Sequence, residues 1–261
     1  MKYGFIGCGN MGGAVARALS RSTKDILVSD RSGKAKTLAE ELGISYGDNQ
    51  TIAQSCQRIF LAVKPHMMAD MLVPLAPVLA QRKPVLITMA AGLTLAQIQE
   101  FVGAEIPIIR IMPNTPTAVG MGVIPYCANG LVTDANLSDW LQDMAPCGLL
   151  DPLEERLIDA ASALSGSGPA YAYVLLEALS DGAVACGLPR AKAMAYAAKM
   201  LSGSAEMFLA SGQHPGTLKD AVCSPGGSTI EGIRILEQRG FRGAAMDCVI
   251  AAYRKNLELG K

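Results

Sequence analysis

The chain has 261 residues, of which 50% are hydrophobic and 18% are charged, with 27 glycines and 14 prolines. This length suits one large domain or two modest ones, and the composition excludes a disordered polymer and a collagen-like repeat. The 23 Lys and Arg residues balance the 23 Asp and Glu residues, and the basic residues form no run. A nucleic-acid or anionic-membrane binder uses a positive field, so we expect neither partner.

The cysteines and the first residues bear on the compartment. Seven cysteines are scattered without any Cys-x-x-Cys pair, at Cys8, Cys56, Cys127, Cys147, Cys186, Cys223 and Cys248. Such a set argues against a disulfide framework and a zinc site, and no other metal-ligand cluster stands out. No stretch approaches the roughly 18 apolar residues of a membrane span, and residues 1–7 lack the apolar segment of a signal peptide. We expect a cytoplasmic protein without a metal.

The first half alternates short β-type runs with helical patterns. The runs are rich in Ile, Val and Leu and cover residues 3–6, 25–29, 59–63, 84–89 and 106–111. Runs of this kind are typical of parallel strands buried on both faces. Helical spacing lies between them, over residues 10–20, 33–42, 66–80 and 94–101. The alternation predicts a Rossmann-type doubly wound α/β sheet, which we place at residues 1–156.

From about Pro152 the β-type runs disappear, and Ala, Leu and Met recur at helical spacing. The predicted helices cover residues 154–164, 170–186, 190–210, 229–238 and 243–259. Many of their residues are small, which allows close helix approach but supports little core volume. We therefore predict an all-helical domain at residues 157–261 that needs a partner subunit to bury its apolar faces.

A glycine-rich turn joins the first strand to the first helix. Its residues are Gly7-Cys8-Gly9-Asn10-Met11-Gly12, the spacing of a dinucleotide-binding fingerprint. The glycines allow the tight turn, the approach of backbone to a pyrophosphate, and close packing of helix on strand, while the helix N-terminus offers N–H donors. We predict dinucleotide binding; the alternative is an ordinary tight turn between strand and helix.

The second strand ends at Asp30, about 20 residues beyond the glycines, where an acidic residue accepts hydrogen bonds from the ribose of NAD. Arg31 and Ser32, followed by Lys34, suit the 2′-phosphate of NADP instead. A solvated turn is the third interpretation. We favour NADPH, with NADH as the alternative.

Three further junctions follow predicted strands, at the sheet edge where ligands bind in open α/β folds. They are Ala62-Val63-Lys64-Pro65, Ala90-Ala91-Gly92 and Met112-Pro113-Asn114. Their small residues and prolines would let a flat nicotinamide ring lie on backbone. Each alone is also compatible with an ordinary turn or a helix cap, and Thr94 is a candidate N-cap.

The most distinctive segment of the helical half is Ser224-Pro225-Gly226-Gly227-Ser228-Thr229. A helical pattern ends before it, and another begins at Ser228 or Thr229. Hydroxyls and glycine N–H groups at a helix N-terminus form an anion site suited to one carboxylate. The competing interpretation is a capping box from Ser228 to Glu231, with the glycines only making the turn.

The only histidines, His66 and His214, adjoin prolines, and neither has an obvious carboxylate partner for acid–base catalysis. A reduction in which a dinucleotide supplies the hydride needs neither a metal nor a strong acid. Such a reaction fits a chain without an evident acid–base histidine.

The chain resembles the 1-pyrroline-5-carboxylate reductases along essentially its whole length. Besides the glycine turn, the resemblance is carried by Leu61-Ala62-Val63-Lys64-Pro65, Arg110-Ile111-Met112-Pro113-Asn114-Thr115-Pro116, Ser165-Gly166-Ser167-Gly168-Pro169-Ala170-Tyr171, Gln213-His214-Pro215-Gly216, Leu218-Lys219-Asp220 and Ser224-Pro225-Gly226-Gly227-Ser228-Thr229-Ile230. The resemblance implies a Rossmann domain and a helical dimerisation domain, with dimers that assemble into decamers and an active site at a subunit interface. It also implies reduction of 1-pyrroline-5-carboxylate to L-proline with NADPH or NADH.

The resemblance further implies roles for single residues. Backbone around Gly226, Gly227 and Ser228, together with Ser224, would hold the substrate carboxylate, and the Thr229 hydroxyl would meet the ring nitrogen. Family members with Thr at position 228 keep the same hydroxyl. Gly212 stands where some relatives have Glu, so we assign it no function.

Two other functions compete with this one. A β-hydroxy-acid dehydrogenase of the same superfamily would carry a catalytic lysine on the first long helix of the second half, and residues 170–186 contain none. A redox-sensing nucleotide-binding module would have no use for the Pro-Gly-Gly loop. Cys223, beside that loop, is interpreted as small packing rather than a redox-sensitive thiol.

Overall fold

The computed structural model describes residues 1–259. The chain divides into two compact units, Met1–Pro169 together with the end of the chain from Ala251, and Ala170–Ile250. The first unit contains the β-sheet and the second is helical. No helix within residues 1–259 combines the length and apolar character needed to cross a membrane. Within the same residues, no three His, Cys, Asp or Glu side chains come together as a metal site.

The first unit is built on one eight-stranded sheet. Its strands are β1 (Tyr3–Ile6), β2 (Ile26–Ser29), β3 (Ser45–Tyr46), β4 (Arg58–Leu61), β5 (Val85–Thr88), β6 (Ile108–Ile111), β7 (Gly122–Ala128) and β8 (Gly148–Pro152). Their order is β3-β2-β1-β4-β5-β6-β7-β8, and the first six run parallel. β7 runs antiparallel to β6, and β8 pairs parallel with β7. The order reverses direction between β1 and β4, which is the switch point of a Rossmann-type sheet, as predicted.

Eight α-helices cover this sheet. They are α1 (Asn10–Leu19), α2 (Lys34–Leu42), α3 (Asn49–Ser55), α4 (Met68–Leu72), α5 (Ala76–Arg82), α6 (Leu95–Val102), α7 (Asp134–Met144) and α8 (Ile158–Ala161). The single helix predicted over residues 66–80 is wrong, because the segment is broken into 3₁₀ turns and the short helices α4 and α5. Pro74 and Pro77 lie in its interior, and a proline there removes a helical hydrogen bond and clashes with the preceding turn.

The hydrophobic core lies on both faces of the sheet. Every residue of β1, β2, β4, β5 and β6 is buried, as the runs rich in Ile, Val and Leu predicted. On one face Phe5 stacks on Phe60 at 4.3 Å between ring centroids, and Trp140 is fully buried. The other face packs against residues of α3, α4, α5 and α6. Both clusters therefore belong to the first unit.

The second unit has almost no interior. It is formed by α9 (Gly168–Ala185), α10 (Arg190–Ser211), α11 (Pro215–Val222), α12 (Ser228–Gln238) and α13 (Phe241–Leu259), of which α9 begins and α13 ends in the first unit. Among the described residues of this unit only Ser180, Ala193 and Ala197 are buried. Large apolar side chains are exposed instead, with Val174 at 68% and Leu209 at 71%. The unit therefore exposes far more apolar surface than isolated folded domains usually do.

A group of charged residues lies at the start of β1. The Tyr3 hydroxyl donates a hydrogen bond to Asp143 at 2.6 Å, and the Lys2 ammonium lies 2.6 Å from the same carboxylate. Burial alone would raise the pKa of Asp143, but the hydrogen bonds from Lys2 and Tyr3 outweigh it and hold the pKa below its usual range. The ionised carboxylate therefore stabilises the folded chain.

This pKa shift predicts a pH-dependent effect of Asp143→Asn. Because the folded pKa lies below the unfolded value of about 4, the carboxylate stabilises the fold at neutral pH and this contribution is lost as pH falls through the folded pKa. The substitution should lower the free energy of unfolding by about 1–2 kcal/mol at pH 7. Urea unfolding at constant protein concentration should show the difference shrinking below pH 4. Asp151→Asn, at an exposed position, is the control. If Asp143→Asn lowered the free energy of unfolding equally at pH 7 and below pH 4, the prediction would be contradicted.

Candidate functional site

The glycine turn between β1 and α1 is crowded on one side and open on the other. Gly7 has φ +103°, and a Cβ on Gly12 would lie 2.3 Å from the Gly7 carbonyl oxygen and 2.8 Å from the Ala62 Cβ. These two positions therefore exclude any side chain. A Cβ on Gly9 would meet no atom within 4 Å. The open space lies where a ligand would approach the backbone.

The first turn of α1 is suited to an anion. Gly9 is its N-cap, no side chain caps the helix, and the first turn carries no acidic residue. The N–H groups at the start of an α-helix have no partner within the helix, and the helix dipole places partial positive charge there. A pyrophosphate in front of Gly9 would satisfy both features.

A cleft of about 840 Å³ opens beside this turn, at the carboxyl ends of β1, β2 and β4. It brings together nine of the predicted cofactor residues: Gly7, Cys8, Gly9, Asp30, Arg31, Ser32, Ala62, Val63 and Lys64. Asn10 and Lys34 line a separate pocket of about 420 Å³ between α1 and α2. Met11, Gly12 and Pro65 line neither cavity. The volume and position of the larger cleft fit the adenosine half of a dinucleotide.

Asp30 presents an unsatisfied acceptor beside this cleft. Its Oδ2 accepts a hydrogen bond from the Ser32 hydroxyl at 2.8 Å, whereas its Oδ1 is buried without a hydrogen-bond partner among the described residues. A buried acceptor without a donor costs free energy, so this oxygen is suited to a ligand hydroxyl such as that of a ribose. Arg31 is exposed and lines the same cleft. The structure thus places both candidate determinants of cofactor choice together.

Cys8 contributes packing at the turn. Burial, reinforced by the negative charge of Asp30, raises the pKa of the Cys8 thiol to about 12. The thiol therefore stays protonated at neutral pH and is a poor nucleophile.

The remaining cofactor candidates lie farther along the same sheet edge. The strand register aligns Ile6 with Leu61, Leu61 with Thr88, and Thr88 with Arg110, so the junctions after β4, β5 and β6 are adjacent. These junctions hold residues 62–65, 90–92 and 112–114, but the last two do not line the large cleft. The N-cap predicted at Thr94 is confirmed, and Gln97 completes a capping box with it.

The Asn114 side chain is occupied by the protein itself. It is 5% exposed, its Oδ1 accepts the Val123 N–H, and its Nδ2 donates to the Ser165 carbonyl, each at 3.0 Å. Ala90 and Met112 are also buried. Asn114 therefore holds the backbone of its junction in place, and any ligand contact there falls to main-chain groups or neighbouring residues.

In the second unit, the Pro-Gly-Gly segment joins α11 to α12. The competing capping-box interpretation is wrong: Gly227 is the N-cap, no side chain caps α12, and Glu231 pairs with Arg234 at 2.9 Å. Gly226 has φ +67°, which permits the tight turn. The helix therefore makes no use of the Ser228 and Thr229 hydroxyls as caps. They remain beside the N–H groups of its first turn, as a carboxylate site requires.

Two features of the sites were missed by sequence analysis. Residues 46–50, which include the end of β3 and the start of α3, form part of the large cleft. Their β-type signal is only two residues long, too short to predict. His214 caps α11 by accepting the Gly216 N–H on Nδ1 at 3.0 Å. The proline after it is the local signal for a helix start.

Comparison with known proteins places the chain in a family. Residues 155–259 match the family described as pyrroline-5-carboxylate reductase dimerisation, and residues 2–92 match the one described as NADP oxidoreductase coenzyme F420-dependent. The chain is 39% identical to pyrroline-5-carboxylate reductase of Escherichia coli (strain K12), with 100% of this chain and 98% of that protein covered. The chain belongs to the pyrroline-5-carboxylate reductase family.

Other reductases of this family agree over the full length. The enzyme of Pisum sativum is 40% identical, with 98% of this chain and 95% of that protein covered. The crystal structure of the Plasmodium falciparum reductase with NADP bound has a TM-score of 0.89 and 32% identity, covering 100% of this chain and 98% of that one. The predicted family and fold class are therefore confirmed. The chain is an oxidoreductase with a nicotinamide-cofactor domain and the dimerisation domain of the reductase family.

The open space at Gly9 leads to a specific prediction. Gly9→Ala should fold normally, because its Cβ meets no protein atom, yet weaken dinucleotide binding about tenfold or more by filling the pyrophosphate position. Gly12→Ala should instead destabilise the fold. Calorimetric titration with NADPH and NADH, alongside thermal melting, separates the two effects. Gly130→Ala is the control, since its Cβ is equally free. Unchanged affinity in Gly9→Ala would show that the ligand does not approach this backbone.

Proposed function

We propose that the chain catalyses the NAD(P)H-dependent reduction of 1-pyrroline-5-carboxylate to L-proline, the last step of proline biosynthesis. The full-length similarity to the reductases of this name is the observation that carries the proposal. The open glycine turn and the unpartnered Asp30 oxygen support it independently, because both fit a dinucleotide. A bound reduced nicotinamide would supply the hydride for the C=N bond.

We assign cofactor binding to residues 1–156 of the chain. N–H groups of residues 7–12 would hold the pyrophosphate, and Asp30, Arg31 and Ser32 would contact the adenosine ribose. The junctions at residues 62–65, 90–92 and 112–114 would line the nicotinamide half. Their adjacency along one sheet edge supports this assignment.

We assign substrate binding to the helical domain, residues 157–261. Ser224, Gly226, Gly227 and Ser228 would hold the substrate carboxylate at the N-terminus of α12, where the dipole favours an anion. The Thr229 hydroxyl would orient the ring nitrogen. That nitrogen must carry a proton for the adjacent carbon to accept a hydride, and a threonine hydroxyl is too weak an acid to ionise. Thr229 would therefore position the nitrogen and relay a proton from water.

We propose NADPH as the preferred cofactor, with NADH also used. Arg31 at the cleft offers a planar, charged partner for a 2′-phosphate, which supports NADPH. The Asp30 oxygen without a hydrogen-bond partner among the described residues would accept from the 2′-hydroxyl of NADH, so we expect only a modest preference. Arg31 would therefore favour a phosphate, and Asp30 a hydroxyl, at the same 2′ position of the ribose.

We propose that two chains associate through the C-terminal helices, and that these dimers assemble further into decamers. The exposed apolar side chains of the second unit support this interface. A solution mass of 27.3 kDa, that of one chain, would contradict it. We also propose a cytoplasmic location, supported by the seven free cysteines, which suit a reducing compartment.

The activity test follows loss of reduced nicotinamide at 340 nm with 1-pyrroline-5-carboxylate and each cofactor in turn. We expect turnover with both and a higher kcat/KM with NADPH. Arg31→Ala should lower kcat/KM for NADPH by about tenfold and leave NADH within twofold, because it removes the phosphate partner. Asp30→Asn should favour NADPH further. No oxidation by folded protein that binds dinucleotide would overturn the proposed reaction.

Thr229→Val should lower kcat by about 100-fold, because it removes a hydroxyl that orients the reacting nitrogen. The residue is partly buried near the start of α12, and valine preserves its shape, so thermal stability should stay nearly unchanged. Thr229→Ser should retain most of the activity. The control is Thr217→Val, which makes the same change in α11. Unchanged turnover in Thr229→Val would remove Thr229 from the mechanism.

A further inference from the structure

Arg110 places a positive charge inside the first unit. It lies on β6, two residues before Met112, and its side chain is 1% exposed. Its Nη2 donates to Asp159 Oδ1 at 2.8 Å and its Nη1 to Glu155 Oε1 at 3.3 Å. Burying a charge is costly even when it is paired, and apolar residues often fill such a position at lower cost. Stability alone therefore does not account for this arginine.

Glu155 connects this guanidinium to a second element. The same Oε1 that faces Arg110 accepts the N–H of Leu95 at 2.7 Å. Leu95 is the first residue of α6, which follows the junction at residues 90–92. One carboxylate oxygen thus joins the strand that leads to residues 112–114 with the helix that follows residues 90–92.

The segment from Glu155 to Ser165 contacts the helix that follows one junction and a residue of the other junction. At its start Glu155 accepts from Leu95, and near its end the Ser165 carbonyl accepts from Asn114. Between them, Asp159 pairs with Arg110, and its carbonyl accepts the Asn256 side chain at 3.1 Å. The segment is therefore attached by five hydrogen bonds, of which one is at Asn114 in the junction at residues 112–114 and one is at the start of the helix after residues 90–92.

We propose that Arg110 and Glu155 are positioning residues that set the place of the nicotinamide ring. By fixing the start of α6 relative to β6, they would hold the two junctions on which the ring lies. This inference rests on the proposed function. The direction of the cofactor follows from the strand order: with the pyrophosphate at α1 and the ribose at β2, the nicotinamide half extends past β4 toward β5 and β6.

Because of where the pair lies, its effect on the nicotinamide half of the cofactor can be measured separately from any effect on the adenosine half. The Arg110–Glu155 pair lies at β6 and α6, away from the turn at residues 7–12 and from Asp30 on β2. Loosening it should displace the nicotinamide end and leave the adenosine end in place. A small misplacement of a reacting group lowers the rate far more than it lowers affinity.

The test compares Glu155→Gln with Glu154→Gln. Glutamine at position 155 keeps the shape of the side chain but removes its charge, which weakens the hydrogen bonds that this oxygen accepts from both the Leu95 N–H and Arg110. Glu154 is a matched control, because it is 66% exposed and pairs only with the exposed Arg156 among the described residues. Asp159→Asn, which removes the other carboxylate, should behave like Glu155→Gln.

For Glu155→Gln we expect kcat to fall about tenfold, with KM for 1-pyrroline-5-carboxylate within twofold of wild type. ADP-ribose, which lacks the nicotinamide, should bind with unchanged affinity, whereas NADPH and NADH should bind at least threefold more weakly. Hydrogen exchange of residues 90–98 should accelerate, and that of residues 10–19 should not. Equal loss of ADP-ribose and NADPH affinity, or properties identical to those of Glu154→Gln, would overturn the positioning role.

The binding and exchange measurements need no substrate, so they separate this inference from the proposed reaction. If wild-type protein fails to reduce 1-pyrroline-5-carboxylate, the proposed function fails. The comparison of ADP-ribose with NADPH then still decides whether the pair positions the nicotinamide end.

Discussion

Close packing at Gly12 is the constraint on which the cofactor site depends. The Gly7 carbonyl and the Ala62 side chain occupy the space that any Cβ at position 12 would need. Helix α1 can therefore approach β1 and β4 more closely than a helix with a side chain there. This approach places the N-terminus of α1 over the edge where β1, β2 and β4 end. The cleft, the open face of Gly9 and the position of Asp30 all follow from it.

Along that edge the polar residues fall into two groups. Asp30 has one buried oxygen with no hydrogen-bond partner among residues 1–259, which suits a residue that binds a ligand. In Asn114, by contrast, both Oδ1 and Nδ2 form hydrogen bonds to main-chain groups of the protein. We propose that the first kind recognises the cofactor and that the second fixes the backbone on which recognition depends. A sequence motif that contains residues of both kinds does not show which of them bind the ligand and which fix the backbone. Substituting the first kind would weaken binding, whereas substituting the second would also disturb the local fold.

The sequence was most informative where one local feature decides the structure. Runs rich in Ile, Val and Leu located the five strands buried on both faces, and the glycine spacing located the turn that holds α1. Prediction failed where elements are short, as at β3, or where prolines break a helical pattern, as between residues 66 and 80. At α12 the predicted helix start agrees with the structure, but the alternative capping box from Ser228 to Glu231 is wrong, because Gly227 takes the cap position. Glu155 and Asp159 lie 45 and 49 residues after Arg110 in the sequence, so sequence spacing could not reveal their contacts with it.

The helical unit, with three buried residues among its described positions, cannot derive its stability from its own interior. Residues 155–259 match the dimerisation domain of the family. With the dimer that we propose, folding of this unit and association would be one equilibrium that obeys mass action, and each tenfold dilution would remove about 1.4 kcal/mol per mole of dimer. The Rossmann-type unit has a core of its own on both sheet faces and would not depend on concentration in this way. The stability of the helical half of the chain would thus depend on how much protein the cell makes, whereas that of the Rossmann-type half would not.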